Sequence, residues 1–224
     1  MIPTDPGTIG ETPALLIIDP QHDFLDPDGA VYCPSSSVSD TEQVINNINT
    51  LVSAARDAEL PVIWTKEIHR PDHADYGAEV LSIEKDHTIA ESEGEKFVDD
   101  LYIPDTGLPA AEYLVEKRRY NCFHNTDLMH LLSTFEVDTV LIAGVTTNVC
   151  VHYTAQGAHE RDFVFRVIEE CTAGTSQSLH SAALEMLNYL QPGGVQPLAS
   201  VTAELKEYPG NPVVEKIKKG GSVI

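Results

Sequence analysis

The sequence is short of basic residues. Only 14 of its 224 residues are Lys or Arg, against 35 Asp or Glu, which leaves a net charge of −21. A surface this negative repels phosphate backbones and anionic headgroups, so nucleic-acid binding and membrane-surface attachment are excluded as expectations. Long hydrophobic runs are missing as well. No stretch approaches the ~20 apolar residues of a membrane span. The opening MIPTDPGTIGETP lacks the basic and apolar regions of a signal peptide. Cysteine is scarce: Cys33, Cys122, Cys150 and Cys171 have neither close paired spacing nor the density of a disulfide scaffold, so a reduced, cytoplasmic setting is expected. What is present is apolar mass. At 42% hydrophobic residues the chain has enough to fold one domain. The acid excess, with lysine only eight of the 14 basic residues, fits a halophilic protein whose carboxylates hold water while salt screens their repulsion.

Short apolar runs alternate with helical patterns. Ala14–Asp19, Pro61–Thr65, Tyr113–Lys117, Thr139–Ala143 and Phe163–Ile168 read as strands, with a possible sixth over Val195–Val201. Ser39–Glu59 reads as a helix: Ser39 and Glu42 match a capping box, and Val44, Ile48, Leu51, Val52 and Ala55 form one apolar stripe. Further helices are expected over Thr126–Phe135, from Thr147, and over Ser178–Leu190. This alternation predicts an α/β fold, a three-layer α/β/α sandwich around a mostly parallel sheet. One domain is expected over 1–208, with a C-terminal extension over 209–224 lying on the domain or on a neighbouring subunit. The polar segment from Lys66 to about Ala110 is long enough to carry function or a lid.

Open parallel sheets bind ligands at the carboxyl ends of their strands. Asp19 ends the first strand, Lys117 the third, and Cys150 follows the fourth in the first turn of a helix. A thiol there feels the helix dipole and free N–H groups, and a nearby ammonium favours thiolate further. Each residue has a plainer explanation: Cys150 between two valines is packing, Asp19 before Pro20 is a turn, and Lys117-Arg-Arg119 is a solvated basic face. Convergence of an acid, an ammonium and a thiol at one sheet edge favours nucleophilic chemistry, with Asp19 as general base.

Three blocks sharpen this reading. They are Leu15-Leu-Ile-Ile-Asp19-Pro-Gln21-His-Asp23-Phe24, Val115-Glu-Lys117-Arg-Arg-Tyr120-Asn-Cys-Phe123-His-Asn-Thr126-Asp127-Leu128, and Ala143-Gly-Val-Thr-Thr-Asn148-Val-Cys150-Val. In order and spacing they resemble the isochorismatase-like cysteine hydrolases over roughly Pro13–Ser200. The resemblance implies a catalytic triad of Asp19, Lys117 and Cys150. It also implies a non-proline cis peptide at Val145–Thr146, with backbone N–H groups of Thr146, Thr147 and Cys150 turned to an oxyanion. Having Cys150 separates the chain from true isochorismatases, which cleave a vinyl ether without a cysteine, and points to C–N hydrolysis through a thioester.

Nicotinamidases of the family hold a metal on an Asp-x-His pair and a further His. Here the run is Glu67-Ile-His69-Arg-Pro-Asp-His73, with Glu for Asp and the second His early. That departure, with Tyr76-Gly77 after it, resembles the branch acting on biuret, ureidoacrylate and N-carbamoylsarcosine, so no metal and no organic cofactor is expected. Substrate contacts are expected from Phe24, Glu67, Arg70 and Tyr120, with Trp64 as a further pocket wall. Arg70 suits a planar carboxylate or carbonyl, though Asp72 and Asp75 offer it ordinary ion pairs. Cys122 and Cys171 read as packing. Relatives' habits imply a homo-oligomer, a dimer or tetramer. The partner is a small amide or ureide. A metal-dependent nicotinamidase, an isochorismatase-type hydrolase and a catalytically silent binding protein are the alternatives.

Overall fold

The computed structural model describes residues 7–78, 84–103 and 107–222. The first six residues, two pieces of the long polar segment (79–83 and 104–106) and the last two residues of the expected extension lie outside the described residues.

A seven-stranded sheet has the order β2-β6-β5-β1-β3-β4, with β7 added beside β6. The strands are β1 (Pro13–Ile18), β2 (Ser35–Ser36), β3 (Val62–Glu67), β4 (Glu112–Lys117), β5 (Thr139–Val145), β6 (Val164–Gly174) and β7 (Val195–Gln196). All pairings are parallel except β2 with β6. The central strand β1 is buried at every position. Its side chains alternate between two cores, as a pleated strand requires. Leu15 and Ile17 join the core beneath α2 (Thr41–Asp57) and α6 (Leu198–Glu207). Leu16 and Ile18 join the core beneath α3 (Leu128–Thr134), α4 (His152–His159), α5 (Gln177–Leu190) and α7 (Pro212–Lys218). These are the three α/β/α layers. Each fully buried Leu or Ile of β1 contributes about 1.5–3 kcal/mol through lost apolar exposure.

Several expectations need correcting. The N-cap of α2 is Asp40, whose carboxylate accepts from Gln43 N at 2.9 Å; Ser39 instead donates to Asp40. Both are good caps, and the carboxylate wins at the helix's positive end. The run Val195–Val201 is not one strand. It gives the two-residue β7 and then turns into α6, where Val201 and Leu205 bury one face at helical spacing. The terminal segment lies on the domain, one of the two placements expected of it. It forms α7, capped by Asn211, with Val214 fully buried in the second core. The strand ending at Thr65 in the sequence reading runs two residues further, to Glu67. Among the described residues no helix is long and apolar enough to cross a membrane.

Where β5 meets β1, Gly144 sits at φ +106°, opposite Ile18. A Cβ there would fall on the carbonyl oxygen of Ile18 and 2.7 Å from its nitrogen. Strand backbone cannot yield as a side-chain end can. Gly144→Ala is therefore expected to lower Tm by about 6–12 °C, the shift that roughly 3 kcal/mol produces at this chain length. A melt within 2 °C of wild type would show that the close approach is dispensable.

Candidate active site

β1, β3 and β4 lie side by side, and each ends on an ionisable residue. Asp19 directly follows β1 at φ 48°, a left-handed conformation that aspartate tolerates better than β-branched residues do. Glu67 ends β3 and Lys117 ends β4, in register with each other. From β5 the chain passes a cis Val145–Thr146 peptide into a π-helical turn, Thr147–Val151, which carries Cys150. All four side chains are buried.

Lys117 is the hub. Its Nζ lies 2.7 Å from Asp19 Oδ2, 2.8 Å from Glu67 Oε2 and 3.5 Å from Cys150 Sγ. The Asp19 contact is ionic rather than a well-aligned hydrogen bond, since Oδ2 has no hydrogen-bond partner of good geometry. The other oxygen, Oδ1, accepts from Thr65 Oγ1 at 2.6 Å. Sγ of Cys150 also stands 3.5 Å from Glu67 Oε2. Thus two carboxylates, one ammonium and one thiol are buried together.

Burial raises the Asp19 pKa, and Glu67 adds to this against the pull of Lys117. Burial would raise Glu67 too, but Lys117, His69 and His87 outweigh it and hold Glu67 well below the usual carboxylate range. Lys117 is held well above the usual lysine value: burial opposes its charge, and Asp19, Cys150 and Glu67 outweigh burial. Cys150 departs from the sequence reading. Burial, with Glu67 and Asp19 nearby, pushes its pKa well up despite Lys117. Its surroundings favour the thiol over the thiolate. The expected thiolate neglected desolvation and the second carboxylate.

Glu67, an expected substrate contact, is wedged between Lys117 and two histidines. Its Oε1 lies 3.2 Å from His69 Nε2 and 3.6 Å from His87 Nε2. His87 Nδ1 is 2.7 Å from the Lys85 carbonyl, an acceptor, so Nδ1 carries the proton. Burial opposes a charge on His87, but Glu67 and that carbonyl raise its pKa to about 9. Glu67, His69 and His87 converge with one donor atom each, all within 4.8 Å. A carboxylate oxygen and two imidazole nitrogens are a donor set that zinc or iron accepts, so the residues fit a metal. His73 stays outside, exposed and 3.5 Å from Asp86.

The remaining expected contacts spread out. Phe24 is buried, its ring in T-shaped contact with His87 at 5.7 Å between centroids. Trp64 is a core residue: fully buried, it donates Nε1–H to Glu112 at 2.9 Å. Tyr120 donates its hydroxyl to Glu84 and stacks on Tyr153. Arg70 is 61% exposed and pairs with Asp75 at 3.0 Å. Arg118 pairs with the same carboxylate, and Arg119 donates to the Asp75 carbonyl. These arginines line a cleft of about 430 Å³ that reaches Lys117. Lys117-Arg-Arg119 is therefore no solvated basic face. Cys33, Cys122 and Cys171 are buried, and burial pushes Cys33 and Cys122 up to about 12.

The sequence reading missed His87 and Thr65. Thr65 was legible only as a strand residue. His87 returns to the site because residues 88–90 run beside His69, through His69 N–H to the Thr88 carbonyl (2.9 Å) and Ala90 N–H to the His69 carbonyl (2.8 Å). No local spacing announces that return.

Comparison with known proteins gives one consistent result. An isochorismatase-domain family model matches residues 13–202. The chain is 29% identical over 204 residues to the ureidoacrylate amidohydrolase of Methylobacterium radiotolerans, covering 82% of this chain and 77% of that one. It is 32% identical over 181 residues to a probable inactive nicotinamidase of Arabidopsis thaliana, covering 78% and 88%. Among solved structures, an isochorismatase-like hydrolase from Alkaliphilus metalliredigens is similar with a TM-score of 0.71 at 27% identity, covering 84% of this chain and 96% of that chain.

Proposed function

The chain belongs to the isochorismatase family, and on that premise we propose that it is a cysteine amidohydrolase cleaving a C–N bond of a small ureido, carbamoyl or amide compound. The observation that carries this reading is the buried cluster of Asp19, Glu67, Lys117 and Cys150 at one sheet edge. Asp19 takes the proton of the Cys150 thiol; its raised pKa narrows the gap between the two groups. Sulfur attacks the carbonyl carbon, a C–S bond forms, and the oxygen becomes an oxyanion held by backbone N–H groups of Thr146, Thr147 and Cys150. Collapse breaks the C–N bond, and the amine or ammonia leaves with the proton from Asp19. Water, deprotonated by the same carboxylate, then adds to the thioester and releases the acid and the thiol. Lys117 keeps its charge throughout and balances Asp19 and Glu67. Arg70, in the cleft that reaches Lys117, holds a substrate carboxylate or carbonyl.

A metal-assisted reading has one specific observation in its favour, the convergence of Glu67, His69 and His87. These three residues would hold the ion, and a bound ion supplies Lewis acidity to a carbonyl or a water. Lys117 engages the other oxygen of Glu67, Oε2, and leaves Oε1 facing the two histidines. One experiment separates the two: metal analysis of the purified protein, with ammonia release measured on ureidoacrylate, biuret, N-carbamoylsarcosine and nicotinamide, before and after chelation. The proposal expects chelator-resistant turnover of a ureido or carbamoyl compound. Bound zinc or iron, with nicotinamide hydrolysis lost on chelation, would replace it with the metal-assisted reading.

A further inference from the structure

Behind the π-helical turn lies a chain of hydrogen bonds that the thioester scheme does not use. His180, in the first turns of α5, is fully buried. Its Nδ1 is 2.9 Å from Thr147 Oγ1, and its Nε2 is 3.0 Å from Ser37 Oγ. Ser37 Oγ in turn donates to Glu169 Oε1 at 2.6 Å. Proton counting orients the whole chain. Ser37 has one hydroxyl proton and gives it to the carboxylate, so it accepts from His180, and Nε2 carries the imidazole proton. Nδ1 is then the lone-pair nitrogen, and Thr147 must donate to it. Every donor has one acceptor, from the surface carboxylate to the first residue of the turn that carries Cys150.

The surroundings leave little slack. A Cβ on Gly174, the last residue of β6, would come within 3.0 Å of His180 Cβ and 2.8 Å of Asn148 Oδ1. Asn148, the next residue of the turn, accepts from Thr175 N at 3.1 Å and donates Nδ2–H to Thr175 Oγ1 at 3.1 Å. The turn is thus held through two successive side chains, one towards α5 and one towards the end of β6.

We propose that His180 is a positioning residue, which through the relay Glu169–Ser37–His180–Thr147 fixes the backbone N–H groups that meet the oxyanion. The inference rests on the thioester reading above. Groups that hold an oxyanion act in the transition state and hardly on the bound substrate, so loosening them lowers the rate at saturation more than the apparent affinity. Burial disfavours a charge on His180, against the pull of Glu169, the charged group facing it, so the imidazole is neutral near pH 7. Protonation would turn Nδ1 into a donor and reverse its bond to Thr147.

The test uses the full chain and p-nitrophenyl acetate, which acylates a nucleophilic thiol and releases p-nitrophenolate. His180→Asn keeps an acceptor where Nδ1 stood; His180→Gln keeps a donor towards Ser37 but loses that acceptor. The relay expects His180→Asn to stay within about threefold of wild type. It expects His180→Gln to lose about 10–100-fold in acylation rate at saturation with an unchanged half-saturating concentration. Nitrogen-15 NMR of the wild-type imidazole is expected to show the Nε2–H tautomer. Ser37→Ala, at an exposed site, folds independently of the buried changes and is expected to give mixed tautomers and a slower acylation. Equal behaviour of the two His180 variants, an Nδ1–H tautomer, or an unaltered Ser37→Ala would each overturn the relay. If Cys150→Ala keeps the wild-type burst, the thioester reading falls first and takes this proposal with it. A burst lost in Cys150→Ala beside indifferent His180 variants removes the relay alone.

Discussion

Cys150→Ala is expected to lose at least about 10⁴-fold in turnover of whichever compound the wild type hydrolyses, while melting within about 3 °C of it. The magnitude follows from the kind of step removed. Without sulfur there is no acyl-enzyme, and about 5 kcal/mol of barrier lowering goes with it. The small stability change follows from size: a short side chain in a polar pocket leaves little apolar cavity. Cys150→Ser is expected to be nearly as inactive. A thiol with a raised pKa still approaches a carboxylate with a raised pKa, but a buried hydroxyl does not. Ammonia release with matched melting curves checks both variants. Turnover within tenfold of wild type in Cys150→Ala would remove the sulfur from the reaction.

Lys117→Met is expected to lower Tm by about 10 °C near pH 7.5. The ammonium faces Asp19 and Glu67 at 2.7 and 2.8 Å, and all three are buried. Removing one partner of a buried ionic group leaves the other uncompensated, at about 3–5 kcal/mol, or roughly 2–4 °C per kcal/mol here. The pH dependence gives the sign. In wild type, Lys117 holds the Glu67 pKa low, so its contribution is present above the unfolded carboxylate pKa and lost as pH falls through the folded one. In the variant, Asp19 loses the one cation that opposes its burial and rises further, while Glu67 keeps only the pull of His69 and His87. Above the unfolded carboxylate pKa the folded variant then binds more protons than the unfolded chain, and its stability falls as pH rises. The gap between wild type and variant should therefore be widest at neutral pH and narrow towards pH 5. Equal deficits at pH 5 and 7.5 would mean that packing, not charge, sets the loss.

How much of this was legible in the sequence can be judged residue by residue. Asp19 and Lys117 were legible because each closes an apolar strand, and parallel topology brings such ends together. Cys150 was legible by its place after β5, but its ionisation was not, because burial and two neighbouring carboxylates are facts of three dimensions. Glu67 was legible as a residue and not in its use. The strand pattern stops at Thr65, and nothing local shows that β3 continues far enough to set Glu67 beside Lys117. His87 was illegible in a different way: a loop carries it back, and sequence distance made His73 the nearer candidate. The run over Val195–Val201 was too short to separate strand from helix by periodicity. His180 looked like one polar residue in an amphipathic helix, and only its partners on β6 and after β2 reveal the relay.

The sheet order also bears on how the protein is made. β1 lies between β3 and β5, so its two neighbours are synthesised far apart in time. Asp19, Glu67 and Lys117 are all present once Lys117 has left the ribosome, whereas the thiol arrives only after β5. Until then one edge of the most apolar strand has no partner, and an unpaired apolar edge is where nascent chains aggregate. The nucleophile thus enters an ionic setting that earlier residues have already supplied, and the same late event closes the exposed edge.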